Sequence, residues 1–242
     1  MEYKRVLAIG DIHGNFQRLL SLYAKIHFNP AEDLLIFLGD YIDRGPDSLS
    51  VLHWIMNKSR EKSVVALRGN HEQLFWEYFA NNGDGALWHR NGGEATCRAI
   101  RAASLSEPAL LDRCLAFIAD RPCSFSLTVQ GQKFFFCHAG IEPTTPLCQQ
   151  QPRELLWIRG RFYREYRGTA LIVVGHTPTE RFPFGGNAPI WLKNRILLLD
   201  TGSYLPEGKI SCVDVLTGTC WQSDEDGGEA SIFGGKKEKV NN

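Results

Sequence analysis

An excess of charge of either sign is missing from this chain: 27 lysines and arginines are matched by 27 aspartates and glutamates. No global field therefore draws it toward nucleic acid or an anionic membrane, and any attraction for phosphate must be local. Long apolar runs are missing as well. Near the start only Val6 to Ile9 is continuously apolar, too short for a signal-peptide core or a membrane span, which points to a cytoplasmic protein. The seven cysteines (Cys97, Cys114, Cys123, Cys137, Cys148, Cys212 and Cys220) are odd in number and contain no C-x-x-C pair. That suits reduced thiols rather than a disulfide framework or a zinc ribbon. Cys212 and Cys220 flank an expected turn and could approach one another, but free thiols fit a reducing compartment better.

Several catalytic signatures are absent too. No cysteine is followed six positions later by arginine, which excludes a thiolate nucleophile in a Cys-x5-Arg cradle. There is no Gly-x-Ser-x-Gly elbow and no His-Glu-x-x-His pair. Gly202 to Lys209 has the look of a phosphate loop, but its spacing is one residue long, Ile210 stands where Ser or Thr is needed, and a strand rather than a helix is expected next.

What is present is ordinary globular material, 242 residues with 43% hydrophobic and 22% charged, enough for one domain with a sizeable core. No internal repeat or linker interrupts it, so residues 1–222 are expected to form a single catalytic domain. Residues 223–242, mostly charge and glycine, are expected to be a disordered tail.

Six short apolar runs share one feature: each stops at a residue type able to bind a metal. Val6 to Ile9 leads to Gly10-Asp11, Leu34 to Leu38 leads to Gly39-Asp40, and Val64 to Leu67 leads to Arg68-Gly69-Asn70-His71. Phe134 to Cys137 delivers His138, Leu171 to Val174 delivers His176, and Ile196 to Leu199 delivers Asp200. These read as buried strands. Between them, helical spacing places Phe16, Leu19, Leu20, Tyr23 and Ile26 on one face, and Leu74, Phe75, Tyr78 and Phe79 on another. A further helix is expected from Pro108 to Asp120, with Ser106 or Glu107 near its cap and Leu111, Cys114, Leu115 and Ile118 inward. Alternating Phe125, Leu127 and Val129 before Gln130-Gly131 predict a hairpin with the Phe134 strand, and Ile210 to Val215 with Thr219 to Gln222 predicts a second. The fold class is thus α/β with mixed sheets, and ligands of open α/β sheets sit beyond the carboxyl ends of the strands.

Singly these residues say little, since an Asp-x-His is ordinarily a surface turn and an Asn-His pair often caps a helix. Together they form a ligand set. Asp11 and His13, two residues apart, can offer an oxygen and a nitrogen to one cation, and the Asp40 carboxylate can bridge to a second cation completed by Asn70, His138 and His176. A mixed oxygen and nitrogen set without thiolate fits manganese, iron or zinc, with nickel also suitable. Two divalent ions less two carboxylates leave positive charge for a phosphate dianion, and a water acidified by the pair is the expected nucleophile. Arg44, Arg68 and Arg159 are candidates to grip phosphoryl oxygens. His71, oriented by Asp43, is the candidate acid for the leaving group. His27, His53 and His89 lack such company and read as structural or surface histidines.

At this point the chain resembles the phosphoprotein phosphatases of the metallophosphoesterase superfamily, in particular the bacterial and phage members. Gly10-Asp11-Ile12-His13-Gly14, Gly39-Asp40-Tyr41-Ile42-Asp43-Arg44-Gly45 and Arg68-Gly69-Asn70-His71-Glu72 look like the family's first three motifs in order. Cys137-His138-Ala139-Gly140, Gly175-His176-Thr177-Pro178 and Trp157-Ile158-Arg159 look like later ones, and Asn91-Gly92-Gly93 after Trp88 resembles a segment that shapes the pocket floor. The resemblance implies a two-sheet sandwich in four layers, α-β-β-α, and a dinuclear centre often filled by manganese. Asp11, His13 and Asp40 would hold one ion; Asp40, Asn70, His138 and His176 would hold the other. It also implies hydrolysis of phosphoserine, phosphothreonine or sometimes phosphotyrosine in proteins or peptides. A monomer is expected. The run Arg181 to Trp191 matches no family motif and is expected to rim the pocket. Two rivals remain: a hydrolase of diadenosine polyphosphates or other small phosphoesters, and a silent phosphate-binding regulator.

Overall fold

A computed structural model describes residues 3–223 and the backbone of residues 230 and 231. Strands β1 (Arg5–Ile9), β2 (Asp33–Phe37) and β3 (Val64–Ala66) alternate with helices α1 (Phe16–Ile26), α2 (Ser48–Lys58) and α3 (Asn70–Ala80). Helix α4 (Gly85–Trp88) runs into a π-helical turn, His89–Gly93, and is followed by α5 (Glu94–Ser106) and α6 (Leu110–Ala119). The second half holds β4 (Ser124–Val129), β5 (Gln132–Cys137), α7 (Pro152–Trp157), α8 (Arg161–Glu165), β6 (Leu171–Val174), β7 (Ile190–Leu192) and β8 (Ile196–Leu198). It closes with β9 (Ser211–Asp214), β10 (Thr219–Gln222) and the short β11 (Ala230–Ser231).

The strands form two mixed sheets, ordered β11-β10-β9-β1-β2-β3 and β4-β5-β6-β8-β7. Alternation along each strand sends side chains to opposite faces. Val6, Ala8, Leu34 and Ile36 of the first sheet meet Phe134, Phe136, Leu171, Val173 and Leu197 of the second in the central core. Leu7, Ile9, Leu35 and Phe37 turn outward under the helices α1 to α6, while Phe135, Ile172, Val174 and Leu198 turn outward under α7 and α8. The result is the four-layer sandwich implied by the family resemblance. Close approach of the sheets is visible at Gly10, where a Cβ would lie 2.1 Å from the carbonyl oxygen of Leu199.

The six strands read from the apolar runs and both hairpins lie where the sequence places them, and three details differ. Leu20 does not join the inward face of α1; it is 36% exposed, while Leu19, Leu22 and Ile26 are buried. The expected 108–120 helix begins at Leu110, Ser106 belongs to the preceding helix, and the Glu107 carbonyl accepts from the Leu110 N–H. Within α6, Leu110, Cys114 and Ile118 are fully buried, with Leu111 and Leu115 only partly so. Helices α2, α4, α5, α7 and α8 and strand β7 are not among the elements expected from the sequence. Cys212 faces the helices and Cys220 the central core, on opposite faces of one sheet, so they cannot join, and all seven cysteines are free. Of the expected tail, Ala230–Ser231 pairs with β10, and residues 224–229 and 232–242 lie outside the described residues. Among the described residues no helix is long and apolar enough to cross a membrane.

Candidate dinuclear metal site

All six expected ligands converge beyond the carboxyl ends of the central strands, and all six are buried. Asp11 and His13 follow β1, Asp40 follows β2, His138 follows β5, and His176 follows β6. Asn70 opens α3 after β3. The backbone there is strained. Of the nine non-glycine residues with positive φ among those described, five are predicted site residues: His13, Asp40, Asp43, Arg44 and His176. Left-handed backbone disfavours L-residues, so its concentration at one spot marks a site held by the surrounding fold.

On one side, His13 Nε2 lies 3.8 Å from Asp11 Oδ2 and 3.6 Å from Asp40 Oδ2. Its Nδ1 bonds the Ile42 carbonyl at 3.0 Å, which leaves the Nε2 lone pair facing the carboxylates. On the other side, His138 Nδ1 bonds the Leu38 carbonyl at 3.0 Å, so its Nε2 also offers a lone pair. That nitrogen lies 2.8 Å from Asn70 Oδ1, 3.2 Å from His176 Nδ1 and 3.3 Å from Asp40 Oδ1. Asn70 Oδ1 is 2.8 Å from His176 Nδ1 as well. Acceptor atoms crowd together with too few protons among them, and buried acceptors without a positive partner are costly. A divalent cation satisfies such a cluster, and oxygen with imidazole nitrogen is a donor set suited to manganese, iron or zinc. The residues therefore fit the group. Ligand atoms of Asp40, His138 and His176 lie within 4.8 Å of one another, as do those of His13, Asp40 and His71.

Protonation follows from burial. The imidazoles of His13 and His176 are held well below their ordinary range, His13 by burial and then by His71 and Arg44, His176 by burial and then by His138 and Arg159. Both are neutral, as ligands must be. Asp11 is pushed well up by burial and by the charges of Asp200 and Asp40. For Asp40 burial works in the same direction, but His138 and His71 outweigh it and keep the carboxyl well below the usual range.

His71 stands apart in its bonding. Its Nδ1 lies 2.7 Å from Asp43 Oδ2, an oxygen that also accepts from Trp88 Nε1 at 2.7 Å. Burial works against the imidazolium, but the charge of Asp40 and the bond to Asp43 raise the His71 pKa above its ordinary value. Arg44 donates to His13 Nε2 at 2.9 Å and to His71 Nε2 at 3.0 Å, so its cation already rests on the lone pairs at the pocket. Arg159 donates to Thr177 Oγ1 at 2.6 Å, and the charges of Asp11 and Asp200 reach it. Arg68 is different. Its guanidinium bonds Gln73 Oε1 at 2.9 Å and the Ala119 carbonyl at 2.6 Å, and no hydrogen bond ties it to the cluster. The C-terminal carbonyl of α6, packed beside α3, captures it. His27 and His89 are exposed and His53 is half-buried, none of them near the cluster by any bond.

The Calcineurin-like phosphoesterase family profile matches residues 4–203. The chain belongs to this family. Members are metallophosphoesterases, hydrolases with a dinuclear metal centre, and the strand-end cluster is where such a centre fits. Among relatives, the serine/threonine-protein phosphatase 2 of Salmonella typhimurium strain LT2 is 42% identical over 207 residues, 84% of this chain and 89% of that protein. The asymmetrical bis(5'-nucleosyl)-tetraphosphatase of Anoxybacillus flavithermus is 26% identical over 217 residues, 80% of this chain and 84% of that protein. The crystal structure of a cold-active protein-tyrosine phosphatase from a psychrophilic Shewanella superposes with a TM-score of 0.62 at 18% identity, covering 94% of this chain and 80% of that one, a likeness of fold.

Within this phosphoesterase several supporting residues carry no role in the sequence reading. Glu72 accepts from the backbone N–H groups of Asp40 and Tyr41 at 2.8 Å and of Gly69 at 2.9 Å, clamping the β2 loop to the start of α3. A glutamate at the third position of a helix is a capping-box signal that could have found it. Tyr204 lies under the Arg44 guanidinium at 4.2 Å and edge-on to His13 at 5.1 Å, and no local pattern announces it. Tyr163 donates to the same Thr177 oxygen as Arg159, at 2.7 Å.

Proposed function

We propose that this phosphoesterase hydrolyses phosphate monoesters of phosphoserine and phosphothreonine in proteins or peptides, with phosphotyrosine within its scope. What carries the reading is the pairing of the acceptor cluster with an Asp43–His71 dyad at 2.7 Å. The relative that covers most of the chain at 42% identity bears a serine/threonine-protein phosphatase name, which supports the protein substrate.

Asp11, His13 and Asp40 would hold one divalent ion, and Asp40, Asn70, His138 and His176 the other, with manganese the first choice. When bound, such a pair supplies Lewis acidity toward phosphoryl oxygens and lowers the pKa of water. Arg44 and Arg159 would then bind the phosphoryl oxygens, Arg44 by turning its fork from the two imidazoles to the more strongly charged guest. Arg68 would have to leave Gln73 and Ala119 to take part, so a phosphate role for it is secondary. A serine or threonine oxygen leaves phosphorus well only if it is protonated as the bond breaks. His71 is the acid for that step: its raised pKa keeps the proton available and Asp43 fixes the ring. Tyr204 would hold Arg44 by stacking.

A panel of manganese-loaded protein against phosphoserine, phosphothreonine and phosphotyrosine peptides, p-nitrophenyl phosphate and diadenosine tetraphosphate tests this. Phosphopeptides should be turned over at least as efficiently as the dinucleotide. Efficient cleavage of the dinucleotide with phosphopeptides untouched would transfer the assignment to a dinucleoside polyphosphate hydrolase. No hydrolysis of any substrate would leave a phosphate-binding regulator.

A further inference from the structure

Asp200 is fully buried, sits two residues past β8, and belongs to none of the roles assigned above. Parallel pairing of Val174 with Leu198 places it level with His176 on the neighbouring strand. The Leu199 carbonyl before it presses on Gly10, the residue before Asp11, where a Cβ would come within 2.1 Å. Gly175 in turn leaves no room for a Cβ beside Asp11 Oδ1, which would lie at 2.0 Å. Three strand ends thus bring Asp200 to the Asp11 side of the site. Only half of its carboxylate is used. Oδ1 accepts from the Gly202 N–H at 3.0 Å, whereas Oδ2 is buried with no hydrogen-bond partner.

A turn cap alone does not account for that arrangement. Asparagine or serine would serve the Gly202 N–H equally well, without burying a charge. A third buried carboxylate next to Asp11 and Asp40 instead raises the negative charge of the pocket, and its field reaches Asp11, Arg159 and Tyr204. Such crowding disfavours the metal-free chain and favours one that holds cations.

We propose that Asp200 is a positioning residue of the cation site built on Asp11 and His13, lending its charge and its free Oδ2 to the divalent ion held there and to that ion's hydration shell. The inference rests on the metal-site reading of Asp11 and His13. It predicts an opposition between stability and binding that a purely structural residue does not produce. Asp200→Asn keeps the shape and the acceptor for Gly202 but removes the charge.

Full-length protein stripped with EDTA is titrated with manganese by calorimetry, and thermal unfolding is followed with and without the metal. Asp200→Asn should bind one of two manganese ions about 10- to 100-fold more weakly, while its metal-free melting temperature equals or exceeds that of the unchanged protein. Asp200→Ser should behave alike. An unaltered manganese isotherm, or a lowered metal-free melting temperature with binding intact, would reduce Asp200 to a turn cap and overturn the proposal. A variant unable to fold would also count against it, because loss of a crowded charge should relieve the metal-free chain. Should the unchanged protein bind no manganese, the metal-site reading itself fails and this inference with it.

Discussion

A carboxylate 2.7 Å from one nitrogen and a guanidinium 3.0 Å from the other give the His71 ring two distinct neighbours, and this separates it from the four-atom crowd around Asn70. Asp40 is the opposite case, since its Oδ1 accepts from the backbone N–H of His71 at 3.0 Å and faces His138, while its Oδ2 faces His13. On the proposed reading His71 is a proton donor and Asp40 a shared ligand, and the two should fail differently. His71→Asn is expected to lower turnover on the order of 10²- to 10⁴-fold while the metal content stays at two per chain. Asp40→Asn is expected to lose both activity and bound metal. Elemental analysis beside steady-state kinetics checks the pair, and equal metal loss in both variants would remove His71 from the role of acid. Glu72 shows how much of a site lies one step behind it. A single buried carboxylate collects the N–H groups of Gly69, Asp40 and Tyr41, so the loop that carries Asp40 is fixed by a residue that need not touch substrate.

At the scale of elements, the strand ends set depth and the turns after them set direction. The π-helical turn His89–Gly93 is the clearest instance, because Gly92 has φ 98° and its carbonyl accepts from the Arg44 N–H at 3.3 Å. A Cβ there would stand 2.9 Å from Arg44 Cγ. Gly92→Ala should therefore displace Arg44 as well as strain the turn. The expected outcome is a raised KM for phosphopeptide with metal content unchanged, and a loss of about 1 kcal/mol or somewhat more in urea unfolding. An unchanged KM would show that the turn does not govern Arg44. The same logic explains α6, whose last turn and its Ala119 carbonyl hold Arg68 away from the cluster through a contact that sequence distance hides.

Across the whole molecule, the site ties the two sheets together, since Asp11, His13, Asp40 and Asn70 come from the first and His138 and His176 from the second. Cations held between them bind the folded chain and not the unfolded one. Manganese at a hundred times its dissociation constant should stabilise the fold by about 2.7 kcal/mol per site, and chelation should reverse it. A melting temperature indifferent to both would contradict a metal bridging the sheets. The strands and the six candidate ligands were legible in the sequence for one reason: a buried strand is a continuous apolar run, and the polar residue that ends it must stand at the sheet's edge; the layers came only with the family resemblance. The sequence by itself thus determined which residues reach the edge, in which order, and that the candidate ligands are oxygen and nitrogen. Tertiary structure alone decided the rest. It turned Arg44 onto His13 and His71, drew Arg68 to the end of α6, set Tyr204 beneath Arg44, and left Asp200 with an unpaired buried oxygen. Those outcomes depend on contacts between segments far apart in the chain, and side-chain direction at such contacts is set by packing, which no local pattern encodes.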